Sequence, residues 1–468
     1  MMSRKSLAIC AVLSAGLALG GCAQLDTVSS WFSAKKTVIL KGQRISILAS
    51  ENAIKPDPDL AAVQVVLPPP YRNPEWPTPG GYASNAMYHL EANGPLQQIW
   101  QQDTGKGSDD DSRLTAPPIV ADGRIFVLDS EAHVFAMDAQ SGKPVWDVSL
   151  APPDGKPNFW NSATLGVAGN NISTDATKGQ GGGVAYDGGK LFVTTGFGQV
   201  FALDPTSGKQ LWVKDLGIPI VNAPVANGGR VFVSSQDNHF VALAADDGRQ
   251  LWDHTGISES AGILESTSAA VAGEFVIAPY SSGELYALRV QNGRPAWNDM
   301  LTSSGNATAM SELDDIAGRP VVDRDMVFAI SHSGVMAAIN LNSGERAWTH
   351  DVGGIQMPWA AGDFVYVVTS EAQLLCLERK DGKVKWVRQL DRWEDPHRKK
   401  DPIIWSGPVL VSNRLIVVSS TGTAVSVSPY TGEILGHIDI PDGTYIAPVV
   451  ANDTLYLLTN DAQLIALR

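Results

Sequence analysis

The chain has 468 residues, 44% of them apolar, and carries a formal net charge of −14. That acidity excludes nucleic acid as a partner, because such binding rests on cationic contacts with phosphate. With only three cysteines, the fold must rest on a large apolar core and not on disulfides.

Arg4 and Lys5 precede a 13-residue apolar run, residues 7–19, which is too short to span a bilayer. Leu19-Gly-Gly-Cys22 comes next and resembles a bacterial lipobox. Residues 1–21 therefore read as a lipoprotein signal peptide, with Cys22 as the lipid attachment site. The alternative is an ordinary signal peptide with a chance Cys. Cleavage would remove Arg4 and Lys5 and take the charge from −14 to −16. Ala23, where an Asp could stand, resembles the pattern sorted to the outer membrane. The expected location is thus the outer membrane, lipid-anchored and facing the periplasm, with several acyl chains giving stable attachment. Cys10 would leave with the signal peptide. Cys376 lies in an apolar run, residues 374–377, and is expected to be a buried strand residue.

Residues 22–94 differ in character from the rest of the chain. Residues 41–54 could hold a short strand or helix. Residues 56–79 are proline-rich, with Pro68-Pro-Pro70 and Trp76-Pro-Thr-Pro79, and predict a semi-extended tether. Trp76 and Tyr82 are its candidates for packing on the next domain.

From residue 95 the chain repeats. Residues 136–146 read AMDAQSGKPVW and residues 202–212 read ALDPTSGKQLW. The Asp can bond backbone N–H groups in a turn, the Gly tolerates positive φ, and the Trp opens the next strand. Looser copies end at Trp252, Trp297, Trp348 and Trp386; a seventh has Gly436 where the Trp would stand. The turn glycines, Gly142, Gly208, Gly248, Gly293, Gly344, Gly382 and Gly432, are 66, 40, 45, 51, 38 and 50 residues apart. Period-2 β-branched and aromatic runs such as Arg124-Ile-Phe-Val127 and Arg230-Val-Phe-Val233 precede each copy, with hairpin signals such as Ser281-Ser-Gly283 between strands. Such a period marks a four-stranded propeller blade.

Seven repeats run through Gly436, and the chain then ends on a repeat lacking its Trp strand. Leu96-Gln-Gln-Ile-Trp100 supplies that strand from the other end. The expected fold is all-β, an eight-bladed β-propeller over residues 95–468, closed by pairing of the N- and C-terminal strands; a seven-bladed ring with one inserted repeat is the alternative. Trp100, Trp146, Trp212, Trp252, Trp297, Trp348 and Trp386 are then blade-docking residues, each covering the Gly turn of an adjacent repeat. Two insertions stand out. Residues 151–182, with Phe159, Trp160 and Gly181-Gly-Gly183, account for the 66-residue spacing. Residues 391–402, DRWEDPHRKKDP, form a charged loop, read as solvated and secondarily as a headgroup contact.

At these motifs the chain resembles the pyrroloquinoline-quinone-type eight-bladed propellers, whose docking motif Ala-x-Asp-x-x-x-Gly-Lys-x-x-Trp is matched at every defined position by residues 136–146 and 202–212. The resemblance implies fold and not chemistry. The dehydrogenases of that fold hold a quinone and Ca²⁺ over adjacent cysteines, and no two cysteines are adjacent here. Zinc spacing, a nucleophile elbow and an EF-hand loop are also absent from the sequence. The expectation is therefore a protein with no catalytic site and no cofactor.

A lipobox, a tether and a docking-motif propeller without quinone machinery together resemble the BamB-type lipoproteins of outer-membrane barrel assembly. That resemblance implies a scaffold that binds the periplasmic POTRA domains of the central barrel subunit, BamA, and assists insertion of nascent barrels. Family contacts come from loops entering the fourth and fifth blades. Here these are residues 260–266 and 311–320, which carry Ile263, Leu264, Asp314 and Asp315 as the candidate partner-binding residues. The family's Arg after the apolar pair is missing, and Ala317 stands where its second acid would be. Strand-entry packing and a solvated turn are the competing readings. A periplasmic quinoprotein or other ligand-binding propeller remains the alternative function.

Overall fold

The structure, a computed structural model, describes residues 54–109, 112–152, 181–258, 267–302 and 314–468. Cys22, Ile263, Leu264, most of the 151–182 insertion and the 41–53 stretch lie outside the described residues.

Each repeat folds as a four-stranded antiparallel sheet. Blades 1 to 7 occupy residues 119–149, 182–215, 225–255, 270–300, 321–350, 359–389 and 405–439. Blade 8 takes three strands from residues 449–467 and its fourth, Gln98–Asp103, from the other end of the propeller. That closing pair is antiparallel, with Trp100 opposite Ala466 and Asp103 opposite Gln463. The ring has eight blades, and the seven-bladed alternative falls.

Burial explains the strand sequences. First strands such as Ile119–Ala121 and Trp359–Ala361 are buried at every position, because they crowd the axis between neighbouring blades. Fourth strands such as Gln210–Asp215 alternate between exposed and half-buried, as the rim of a ring requires. The core is accordingly a series of interblade layers: one cluster joins blades 1 and 2, another blades 2 and 3, and so on round the ring. Cys376 is fully buried in one of these layers, with its thiol held well above the usual range by burial.

Each docking Trp packs on the Gly turn of the following blade. A Cβ on Gly208 would lie 2.7 Å from the Trp146 ring, and φ there is +70°, so both contact and conformation demand glycine. The Trp146 indole N–H donates to Pro205 O at 3.0 Å. The same ring-on-glycine contact recurs from Trp100–Gly142 through Trp386–Gly432, seven times. Every indole also donates to a carbonyl in that next turn, at 2.7–3.1 Å.

The junction between blades 7 and 8 is built differently. Gly436 faces open space, and blade 8 has no Gly turn for a Trp to cover, because its fourth strand, Gln98–Asp103, comes from the other end of the propeller. Residues 89–94 fill the place. Ala92 N–H donates to Ser412 Oγ at 2.9 Å, and Arg414 Nη2 donates to the carbonyls of Ala92 and Gly94 at 3.0 and 3.2 Å. His89, 1% exposed, accepts Asn413 N–H at Nε2 (2.9 Å) and so donates from Nδ1 to Pro68 O at 2.7 Å.

Residues 54–94 do not form the spacer expected of them. They enter at blade 6, where Asp57 N–H donates to Val384 O, and run across one mouth of the ring. Asn73 bonds blade 8, Trp76 pairs with Val120 of blade 1, Pro77 accepts from Tyr186 of blade 2, and Ala83 and Ser84 accept from Val271 and Val322 of blades 4 and 5. Tyr88 accepts from the Trp359 indole of blade 6, and Leu90 brackets Leu410 and Ser412 of blade 7. The segment is a plug tied to seven of the eight blades. Trp76 is 2% exposed and packs on the ring as the sequence suggested; Tyr82 packs against the same core cluster and donates to Asn73 Oδ1 within the plug. The 391–402 loop also gains structure as a short exposed hairpin, Trp393–Asp395 with Lys400–Pro402.

Candidate partner face and axial pocket

Antiparallel blades sort their connections onto two faces. The plug covers the face of the first hairpins, such as Ser412–Asn413, and of the Gly turns. The second hairpins and the entries to the first strands share the opposite, open face.

On that open face, blade 4 presents the hairpin Tyr280–Glu284, where Gly283 adopts φ +79°. Both loops singled out from the sequence are rooted there. Before blade 4, Ile257 N–H donates to Glu284 Oε2 at 2.6 Å, and Asn238 Nδ2 donates to Ile257 O at 2.6 Å. Asn238 Oδ1 in turn accepts from Ser281 N–H and Oγ at 3.1 and 3.0 Å. Before blade 5, Ile316 N–H donates to Tyr280 O at 3.3 Å, and a Cβ on Gly283 would fall 3.0 Å from Asp314 O. One hairpin thus fixes the start of one loop and the end of the next.

Glu284 is the centre of this root. It is 5% exposed and also accepts from Ser282 Oγ (2.8 Å) and Tyr286 OH (3.2 Å), so its buried carboxylate is well supplied with donors. Tyr280 donates toward His254 Nδ1 at 2.7 Å, and His254 lies 4.5 Å from the Tyr286 ring. Burial holds His254 below the usual histidine value and Tyr280 above the usual phenol value. Sequence reading missed Glu284 and Asn238; a Glu directly after Ser281-Ser-Gly283, where a polar loop should end and an apolar strand begin, was the available signal.

The two acids of the fifth-blade loop are unequal. Asp314 is half-buried and Asp315 is 7% exposed, with its carbonyl accepting His332 N–H at 2.9 Å. Asp314 is therefore the acid better placed to meet a partner.

At the centre of the open face is an axial pocket of about 360 Å³. Its floor is the plug's Trp76 with Trp359, their rings stacked at 6.5 Å and 24°. Its walls are mostly apolar, with Arg113, Thr115, Arg319, Gln356 and the Tyr445 hydroxyl as the polar exceptions. Among the described lining residues there is no carboxylate, and a hard metal ion beside a quinone requires oxygen donors of that kind. The donor set present does not fit a metal–quinone pair.

A family model described as outer membrane protein assembly factor BamB matches residues 91–157 and 158–388. The chain belongs to the BamB family. Escherichia coli K12 BamB is 30% identical over 352 residues, which is 74% of this chain and 82% of that one. The crystal structure of BamB from Moraxella catarrhalis superposes with a TM-score of 0.61 at 16% identity, covering 80% of this chain and 99% of that one. A quinohemoprotein alcohol dehydrogenase from Comamonas testosteroni superposes equally well, with a TM-score of 0.63 at 14% identity over 85% and 81% of the two chains. At such identities superposition shows the propeller alone. Sequence, and not shape, separates BamB from the dehydrogenases.

Proposed function

We propose that this protein is a non-enzymatic scaffold lipoprotein of outer-membrane β-barrel assembly, held at the membrane by lipid on Cys22 and facing the periplasm. Its open face binds the periplasmic POTRA domains of a BamA-like barrel subunit and keeps that subunit near nascent outer-membrane proteins. Membership of the BamB family supports the role. The single structural observation carrying the binding site is the convergence of both loop roots on the Tyr280–Glu284 hairpin. Half-buried Asp314 supplies acid on one side, with Asp315 largely buried beside it, and Ile263 and Leu264 supply apolar anchors on the other.

The test is affinity for purified POTRA domains, measured beside thermal stability. Asp314→Arg places like charge against a basic contact and should weaken binding strongly with the fold intact, since such juxtapositions cost several kcal/mol. Ile263→Ala with Leu264→Ala should weaken it through lost apolar anchoring. A folded Asp314→Arg variant binding as tightly as the parent sinks this placement. Cys22→Ala should release the protein from carbonate-washed membranes, and retention there would refute lipid as the anchor. Near-ultraviolet absorbance beyond the protein bands in the purified protein would favour a bound quinone over the scaffold.

A further inference from the structure

The axial pocket has a chemistry of its own. Both indole N–H groups of its floor are spent within the fold: Trp359 donates to Tyr88 O at 2.6 Å and Trp76 to Pro79 O at 3.5 Å. What the floor offers is therefore ring carbon. Leu114, Ile355, Met357, Ile404 and Ile446 make the walls apolar. Gln356 Oε1 accepts Gly407 N–H at 3.2 Å, which leaves its neutral Nε2 as a donor at the wall but no charge. Arg319 is also engaged within the fold.

Arg113 differs from all of these. It is exposed to solvent, its guanidinium lies 5.5 Å over the Tyr445 ring, and no carboxylate among the described residues pairs with it. Stacking on Tyr445 restricts the fork while leaving its N–H edge open, the arrangement in which arginine grips a carboxylate with two parallel bonds. In a chain of net charge −14, the described lining of this pocket holds arginines and no acid. A volume near 360 Å³ lies at the lower end of the range for small-molecule sites and suits one or two fused rings.

We propose that this pocket is a binding site for a small carboxylate with a flat apolar body. The body lies on the Trp76–Trp359 floor and the carboxylate meets Arg113. The site requires neither metal nor redox cofactor, and it does not depend on the assembly reading: POTRA binding can fail with this site intact, and the reverse.

Equilibrium dialysis of the whole protein against 2-naphthoate tests it. One saturable site per chain is expected, with the neutral 2-naphthamide bound at least about tenfold more weakly, as a charge-assisted bidentate contact requires. Arg113→Gln should erase the difference between the two probes without moving the melting temperature, since the side chain is exposed. Arg113→Glu should turn the preference toward 2-naphthylmethylamine. Lys209→Gln, on the exposed Gly208 turn of blade 2, removes one positive charge at a distance and should leave the preference intact. No saturable binding, equal binding of acid and amide, or a preference that survives Arg113→Gln each overturns the proposal.

Discussion

Seven of the eight blade junctions and the eighth solve the same packing problem by opposite means. At the seven, a Trp and a Gly from consecutive repeats interlock, so each junction is specified within about 60 residues of chain. At the eighth there is no turn to cover, and residues 89–94, Ser412 and Arg414 replace the lock with a web of backbone and side-chain hydrogen bonds. A repeated junction can rely on one apolar contact because the chain itself supplies the geometry. The closing junction has no such continuity and depends on polar bonds between residues more than 300 positions apart.

The contrast can be broken most severely by deleting residues 460–468. That removes the Gln463–Leu467 strand and leaves raw edges on both its neighbours, so the ring is expected to unfold or aggregate. A truncated protein with an unchanged melting temperature would mean that closure lies elsewhere. Next in size is Trp252→Ala, which empties a buried site on Gly293; large-to-small aromatic changes in a core cost about 3–5 kcal/mol. Chemical denaturation of that variant measures the loss, and a cost below about 1 kcal/mol would show that the lock contributes little.

A third experiment sharpens the contrast by pH. His89 belongs to the closing junction, and burial holds it below the ordinary value of 6.5. Its Nε2 must stay unprotonated to accept Asn413 N–H. The unfolded chain therefore binds more protons below pH 6.5, so this contribution to stability is complete above that pH and is lost as pH falls beneath it. Stability curves between pH 7.5 and 5.5 should show a fall that shrinks in His89→Gln, and identical slopes for the two proteins would refute the assignment. The smallest effect is expected from Gly436→Trp. The new ring finds open space and no turn, so stability should change by within about 0.5 kcal/mol. A gain as large as the Trp252→Ala loss would mean that a turn is not needed for docking.

The repeats were legible because their constraints are local: a Gly at positive φ, a Trp four residues later and alternating strands recur with a period. The last repeat, lacking its Trp strand, and the orphan strand at Trp100 even disclosed the closure. The plug was not legible. Asn73, Trp76, Asn85 and Leu90 are all buried, but they answer to blade 8, blade 1, the entries to blades 4 and 5, and blade 7, so no period links them and the prolines between them read as a spacer. Glu284 was hidden for a related reason. Its partners are the backbone of Ile257, Ser282 and Tyr286, and only the fold of blade 4 brings the loop root to that carboxylate. Asp314 and Asp315 both read as candidate contacts, yet the entry into blade 5 buries Asp315 and leaves Asp314 half-open.

The plug and the Gln98–Asp103 strand also set an order of events during synthesis. They precede the blades in the chain, yet their partners extend to Val450 and Leu467. Blades 1 to 7 can each form as their own hairpins arrive, but Gln98–Asp103 finds its strand partner only once Gln463–Leu467 is made. Closure thus waits for residues 463–467, and a chain cut short before them is left with an open edge.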